Sequence, residues 1–463
     1  MSPDDSPSTP SDSPSPSTPS DDPSPSDGSS SLLSRRQLLG LVGGGSAAVA
    51  GVSWFAPSWL PDPVTDTLTT LYPDPSSNYV WRPLVSDDHA DEAVATLEEA
   101  VEQANELRSR IDIDSVHEDL KFYLRADPAG GHLQSAQSDR NNRDKLRHAT
   151  TGLKYTGESI GAAKVVLDET DSQAVVQRGR DLRHAADDVA DSISEYRVSD
   201  AGRDLGYLYA IERRLMFARL NSHQGGIFAG GAADADEYDA HDIADTWGSH
   251  LQAKQHIRTA RHFREQYQSN LGNNPASHRS RIQSSLDNFR AEIEEYPTRG
   301  EMRTTVEAEL GDDDRTPYGV ARWELFMLCF DNDFRVFENS LDRDLLVLRV
   351  VDTGRALLER RAYDFALSEL DVEPGDTDYD SSRSFRAKRR AMRQFRTTKD
   401  EYDSNFAGVV ANEAASLIRG GDVGLEMGDG PMWRERVDSS VYSLVAEGML
   451  RNLGDVVDPL EQD

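Results

Sequence analysis

The chain of 463 residues, 51.3 kDa, has room for two to four ordinary domains or for one long helical assembly. It carries 82 acidic against 50 basic residues, a formal charge of −32, with 37% hydrophobic residues. Its one cysteine, Cys329, excludes an internal disulfide framework and any zinc site built on cysteines.

Residues 1–33 form a tail of mostly Ser, Pro and Asp that holds eight of the 21 prolines. So little apolar surface cannot offset the entropy of ordering, and the tail is expected to be disordered. Ser34-Arg35-Arg36-Gln37-Leu38-Leu39 then leads into an uncharged run from Leu38 to Leu60. Arg35, Arg36, Leu38 and Leu39 resemble the twin-arginine export signal, in which an Arg pair, one variable residue and two apolar residues precede a weakly hydrophobic stretch. The resemblance covers residues 34–60 alone, departs from the frequent lysine at Gly40, and implies passage through the twin-arginine translocation machinery. The charged residues, 53 Asp and 29 Glu against 43 Arg and only 7 Lys, are similar to those of extreme halophiles. Dense carboxylates keep such a surface hydrated, and molar salt, with a Debye length of about 3 Å, screens their repulsion. Together the two resemblances imply a haloarchaeal exported protein.

The 23 residues from Leu38 to Leu60, at about 1.5 Å each, span roughly 34 Å, enough for a bilayer core. Trp54 and Trp59 suit the far interface, and the Arg pair keeps the N-terminus inside. A single-span anchor in the cytoplasmic membrane is expected, with the C-terminal body extracellular. The alternative is cleavage near Ala50, after Ala48-Val49-Ala50, and secretion. Residues 61–86, with Pro61, Pro63, Pro73, Pro75 and Pro83, read as an extended Pro-rich spacer.

Residues 87–463 read as an all-α body of long antiparallel helices in a bundle or helical array, with no sheet. Val94, Leu97, Val101 and Ala104 are spaced 3-4-3, and Leu146, Leu153, Ile160 and Leu167 recur at sevens. Gly152, Gly157 and Gly161 on the second stretch would let a neighbouring helix approach closely. Further stretches run through Leu205–Leu215 and Ile282–Tyr296, and the last helix through Trp433–Leu453. Trp323–Phe330 and Leu345–Leu358 are the expected core. Breaks at Pro128–Gly131, Gly225–Asp236, Asn273–Pro275, Asp312–Pro317, Val372–Ser382 and Gly420–Pro431 leave nine to eleven helices. Two sub-bundles would divide near 221–238 or near 312–317. Ile211-Glu212-Arg213-Arg214-Leu215 is faintly echoed by Leu358-Glu359-Arg360-Arg361-Ala362, without a fixed period.

No catalytic template fits. The candidates for a metal are Asp181 with His184, His241 with Asp245 at i, i+4, and Asp376, Asp378 and Asp380 at alternate positions as in a calcium loop. The calcium pattern lacks its glycine at Ser381 and its bidentate glutamate at Ala387, so neither metal nor cofactor is expected. Residues 383–396 hold seven cations in fourteen positions. Arg386, Arg389, Arg390 and Arg393 could bind an anionic envelope component, or pair with carboxylates of neighbouring helices. Nucleic acid is excluded for a body expected outside the cell. The expectation is a non-enzymatic envelope protein, anchored through residues 38–60, that binds or scaffolds an envelope protein or anionic surface component. The alternative is an exported metal- or cofactor-dependent enzyme with its site inside a helical bundle.

Overall fold

The computed structural model describes residues 60–75, 80–222, 238–311, 315–330, 344–427 and 432–462, all within one unit spanning Pro57–Asp463. The tail, the twin-arginine segment with Ala50, and the Gly225–Asp236 break lie outside the described residues, apart from Leu60 at the segment's end.

Helix α1 (Asp62–Leu71) corrects the expected extended spacer. Pro61 is its N-cap and Pro63 sits in its first turn, where the missing N–H would have no helical partner anyway. Thr65, Asp66 and Thr69 turn inward and are buried. Residues 81–86 are irregular and lead into α2 (Asp87–Ser109), where the Ser86 side chain accepts from the N–H of His89. Leu97, Ala100 and Ala104 form its buried seam.

Two short helices, α3 (Glu118–Lys121) and α4 (His132–Ser138), flank a turn in which Gly130 and Gly131 take φ of +58° and +80°. The long helices α5 (Asn142–Val166), α6 (Ser172–Asp191), α7 (Ala201–Leu220) and α8 (Ala240–Asn270) follow. Helix α5 packs against α2, α4 and α8, and α8 also packs against α6 and α7. The close approach expected of the α5 glycines is present. A Cβ on Gly157 would lie 2.7 Å from Gly248 Cα of α8, and one on Gly161 would lie 2.7 Å from Trp247 Cβ.

The remaining helices are α9 (Arg279–Ile293), α10 (Arg299–Leu310), α11 (Pro317–Phe330), α12 (Leu346–Glu369), α13 (Ser381–Glu401), α14 (Asn405–Val410), α15 (Asn412–Met427), α16 (Met432–Arg451) and α17 (Gly454–Glu461). Helix α16 packs against α11, α12, α13 and α15, and its Val437, Val441, Leu444, Val445 and Met449 are all buried. Such a helix, covered nearly all round, is a core element of the C-terminal helices. Helices α12 and α14 also touch α7, while α1 docks on α13 and α15.

The fold class is all-α, and ten helices among the described residues have 15 residues or more. Two local expectations fail. A two-residue antiparallel pair, β1 (Arg197–Val198) and β2 (Ala276–Ser277), clips the α6–α7 connection to the α8–α9 connection. Helix α15 runs through Gly420 and Gly421 instead of breaking there, and the missing side chain lets α16 come close: a Cβ on Gly421 would lie only 3.2 Å from Ser439 Cα and O. The glycine pair serves packing.

Candidate functional site

A cavity of about 800 Å³ opens where α5, α7 and α8 meet α12, the end of α14 and the start of α15, with Trp81–Val85 along one side. Its size falls within the range of small-molecule sites. Six arginines line it: Arg82, Arg143, Arg147, Arg213, Arg214 and Arg355. Asp144 is the single carboxylate of the lining. In a chain with 82 acidic and 50 basic residues, this inverts the average charge balance.

Each arginine is placed by its element. Arg143 and Arg147 lie one turn apart on α5, and Arg143 donates to the carbonyls of Arg82 and Pro83, fixing the irregular segment over the cavity. Arg147 lies 3.5 Å from Asp144. Arg213 and Arg214 are consecutive on α7, about 100° apart around the helix, so they reach different parts of the wall. The guanidinium of Arg213 lies 5.9 Å from the Phe217 ring centre. Arg355 of α12 donates to the Tyr209 hydroxyl at 3.0 Å and to the Val409 carbonyl at 2.7 Å, and it lies 3.5 Å from Asp352.

Arg82, Arg143, Arg213 and Arg214 have no carboxylate within ion-pair distance among the described residues. The electrostatics register this. Burial and then the neighbouring Arg213, Arg143 and Arg82 hold the Arg214 guanidinium down to about 10. Burial and other arginines likewise lower Arg82 and Arg143. Arg214 Nη1 faces Nδ1 of His256 at 3.4 Å, and burial, with Arg214 adding to it, pushes that imidazole down to about 3. The histidine is therefore neutral at any ordinary pH and adds no charge. Trp81, Tyr209, Phe217 and Phe263 supply ring surface, and Asn221, Gln252 and Asn412 supply amides.

None of the candidates read from the sequence lines this cavity. On α6, Asp181 accepts from Gln177 at 2.8 Å, and His184 is exposed. His241 lies 3.2 Å from the Tyr123 hydroxyl, and Asp245 lies 3.9 Å from Lys154. Asp380 is the N-cap of α13 and accepts from Ser382 at 2.7 Å. Asp376 accepts from the Glu373 N–H and pairs with Arg383, while Asp378 accepts from the Tyr379 N–H. Among the described residues no group of three or more His, Cys, Asp or Glu could hold a metal ion.

The basic helix α13 faces acids. Arg386 lies 3.4 Å from Asp371, and Arg390 reaches Glu369 at 2.5 Å and Glu447 at 3.1 Å. Buried Lys388 pairs with Asp422 and donates to the Thr69 carbonyl at 2.9 Å. Arg389 is half-buried and Arg393 exposed on the same helix. Arg35, Arg36, Leu38 and Leu39 lie outside the described residues. The buried Cys329 thiol is raised well above its usual value by burial, which leaves it a packing group.

The fold and cavity define an all-α protein with an arginine-lined chamber. Residues 88–274 match the family model of a domain of unknown function, DUF8262, and residues 279–462 match that of a second, DUF8264. Arg143, Arg213 and Arg214 come from the first matched region, Arg355 and Asn412 from the second, and Trp81–Val85 precede both. The cavity therefore belongs to neither region alone. No curated protein and no solved structure matches this chain.

Proposed function

We propose that this chain is an exported, membrane-anchored binding protein of a haloarchaeal envelope, whose helical body lies outside the cell and holds an anionic ligand in the arginine cavity. The observation that carries the binding reading is the set of four cavity arginines without a carboxylate partner. Arg143 and Arg214 are half-buried and Arg82 and Arg213 exposed at the rim; like charges gathered around one space repel, and an anion that accepts their hydrogen bonds relieves that cost. Binding without chemistry is favoured by the other groups in the lining. His256 is held neutral against Arg214, the Tyr209 hydroxyl is engaged by Arg355, and Asp144 is paired with Arg147.

Export and anchoring rest on the Arg35-Arg36 motif and the uncharged run that follows. Among the described residues no helix is long and apolar enough to cross a membrane; the proposed anchor is the uncharged run of residues 38–60. Protease added to intact cells tests the topology. A C-terminal tag should be digested while the protein stays with the membrane fraction. A protected tag contradicts export, and a free protein beginning near Gly51 contradicts the anchor. Metal analysis of protein purified in high salt tests the alternative, because stoichiometric metal would favour an enzyme.

A further inference from the structure

The charge count around the cavity specifies more than the sign of its occupant. Of the six guanidiniums, Arg147 and Arg355 each lie 3.5 Å from a carboxylate, Asp144 and Asp352. Four remain, and they belong to three elements: Arg82 before α2, Arg143 on α5, and Arg213 and Arg214 on α7. One halide or one carboxylate satisfies a single guanidinium fork and leaves the others uncompensated. In concentrated salt, screening removes long-range attraction, so only direct contacts distinguish a ligand from bulk chloride.

The walls add a second requirement. Trp81 and Phe217 are half-buried and line the same space as the guanidiniums. The Phe217 ring is held by His256, stacked at 5.4 Å, and Trp81 by Tyr207 at 5.0 Å edge-on. Rings fixed in this way give flat apolar surface at little entropic cost. A chamber of about 800 Å³ is also much larger than one oxyanion needs.

We propose that the cavity selects an organic polyanion: three or four negative charges, as phosphate, sulfonate or carboxylate groups, arranged around a flat ring. The ring packs on Trp81 and Phe217, and the anionic groups sit on Arg82, Arg143, Arg213 and Arg214. This rests on the reading of the cavity as an anion site.

The test uses full-length protein in about 2 M KCl, where the Debye length is below about 3 Å. The probe is the dye pyranine, a pyrene ring bearing three sulfonates, followed by fluorescence anisotropy. ATP, pyrophosphate and citrate serve as competitors. Saturable binding at one site is expected, weakened tenfold or more by Arg213→Gln. Phe217→Leu should weaken pyranine and ATP but leave pyrophosphate unchanged. Thermal melting of each variant in the same buffer verifies that it is folded. If pyrophosphate and citrate compete as well as ATP and Phe217→Leu changes nothing, the ring requirement is overturned while the anion site stands. If no anion binds, or Arg213→Gln binds all of them as the native protein does, both the polyanion and the anion site are overturned.

Discussion

Arg214 Nη1 meets His256 Nδ1 across 3.4 Å, so a cation on α7 is answered by a neutral imidazole on α8 where a carboxylate would be usual. A guanidinium only donates, which leaves Nδ1 as acceptor and places the ring proton on Nε2. This arrangement fixes the acid response. Burial and Arg214 push His256 down to about 3, and burial, His262 and nearby arginines push His89 down to about 4. The unfolded chain takes up these protons near 6.5, so stability is fully present above that pH and is lost as pH falls toward the folded values. Each unit of difference amounts to about 1.4 kcal/mol per histidine. In urea melts at constant salt this histidine contribution should be lost as pH falls from about 6.5 toward 4, beneath an opposing gain from buried carboxyls raised toward 7–8, Asp422, Asp438 and Glu212. His256→Gln should make that loss shallower; an unchanged slope would reject the assignment.

Glu212 has the opposite sign. It is wholly buried, and burial pushes its carboxyl up to about 8, against hydrogen bonds from Tyr196 and the Leu348 N–H. The folded state therefore holds a proton that the unfolded state releases near 4.5, and this contribution is lost as pH rises through 8. Glu212 Oε1 lies 2.6 Å from the Tyr196 oxygen, which also lies 2.6 Å from the Asp344 carbonyl. Glutamine copies the protonated form. Glu212→Gln should be at least as stable as the native chain at pH 7 and should lose less stability than it between pH 5 and pH 9. Glu212→Ala should cost about 2–3 kcal/mol by orphaning the Leu348 N–H and opening a void. A Gln variant as damaged as the Ala variant would show that the group is ionised.

Helix α1 is held by charge. Arg436 of α16 reaches Asp66 at 2.8 Å and Asp62 at 2.9 Å, and both Arg436 and Asp66 are buried. Removing one partner of such a pair strands the other and costs about 3–5 kcal/mol. Arg436→Met should release residues 62–72 to limited proteolysis, and adding Asp66→Asn should restore most of the protection. If the double variant is cut as fast as the single, the ion pair is not what docks the helix.

The α5–α8 contact admits no Cβ. One on Gly248 would lie 2.5 Å from the Lys154 carbonyl oxygen and 2.8 Å from Glu158 Cγ. Gly248→Ala should therefore destabilise by about 1–3 kcal/mol, despite alanine's better helix propensity. Gly300 on α10 has nothing within 4 Å of its Cβ direction, so Gly300→Ala should raise the melting temperature slightly. Equal responses at the two sites would show that the helices can move apart.

The helices were legible because they rest on local periodicity. Leu146, Leu153 and Ile160, seven residues apart, are all buried, and Gly157 and Gly161 meet α8 as their size suggests. Proline misled over residues 61–86, since its cost depends on its position within a helix and the first turn tolerates it. The cavity was not legible. Its cations sit at positions 82, 143, 147, 213, 214 and 355, with no common spacing. The one dense run of bases, on α13, drew attention because charge is easy to see along the chain. In space it is answered by Glu369, Asp371, Asp422 and Glu447. The signal that was available is the Arg213-Arg214 doublet on α7, echoed at Arg360-Arg361.

The central claim is that the unpaired arginines bind an anion. A ligand that binds only the folded state raises the melting point with the logarithm of its concentration once it exceeds Kd. Melting should therefore be followed with increasing ATP at fixed total ionic strength, for the native chain and for Arg213→Gln/Arg214→Gln. The account expects a progressive rise in the native protein and none in the double variant. No rise in the native chain, or the same rise in both, would contradict it.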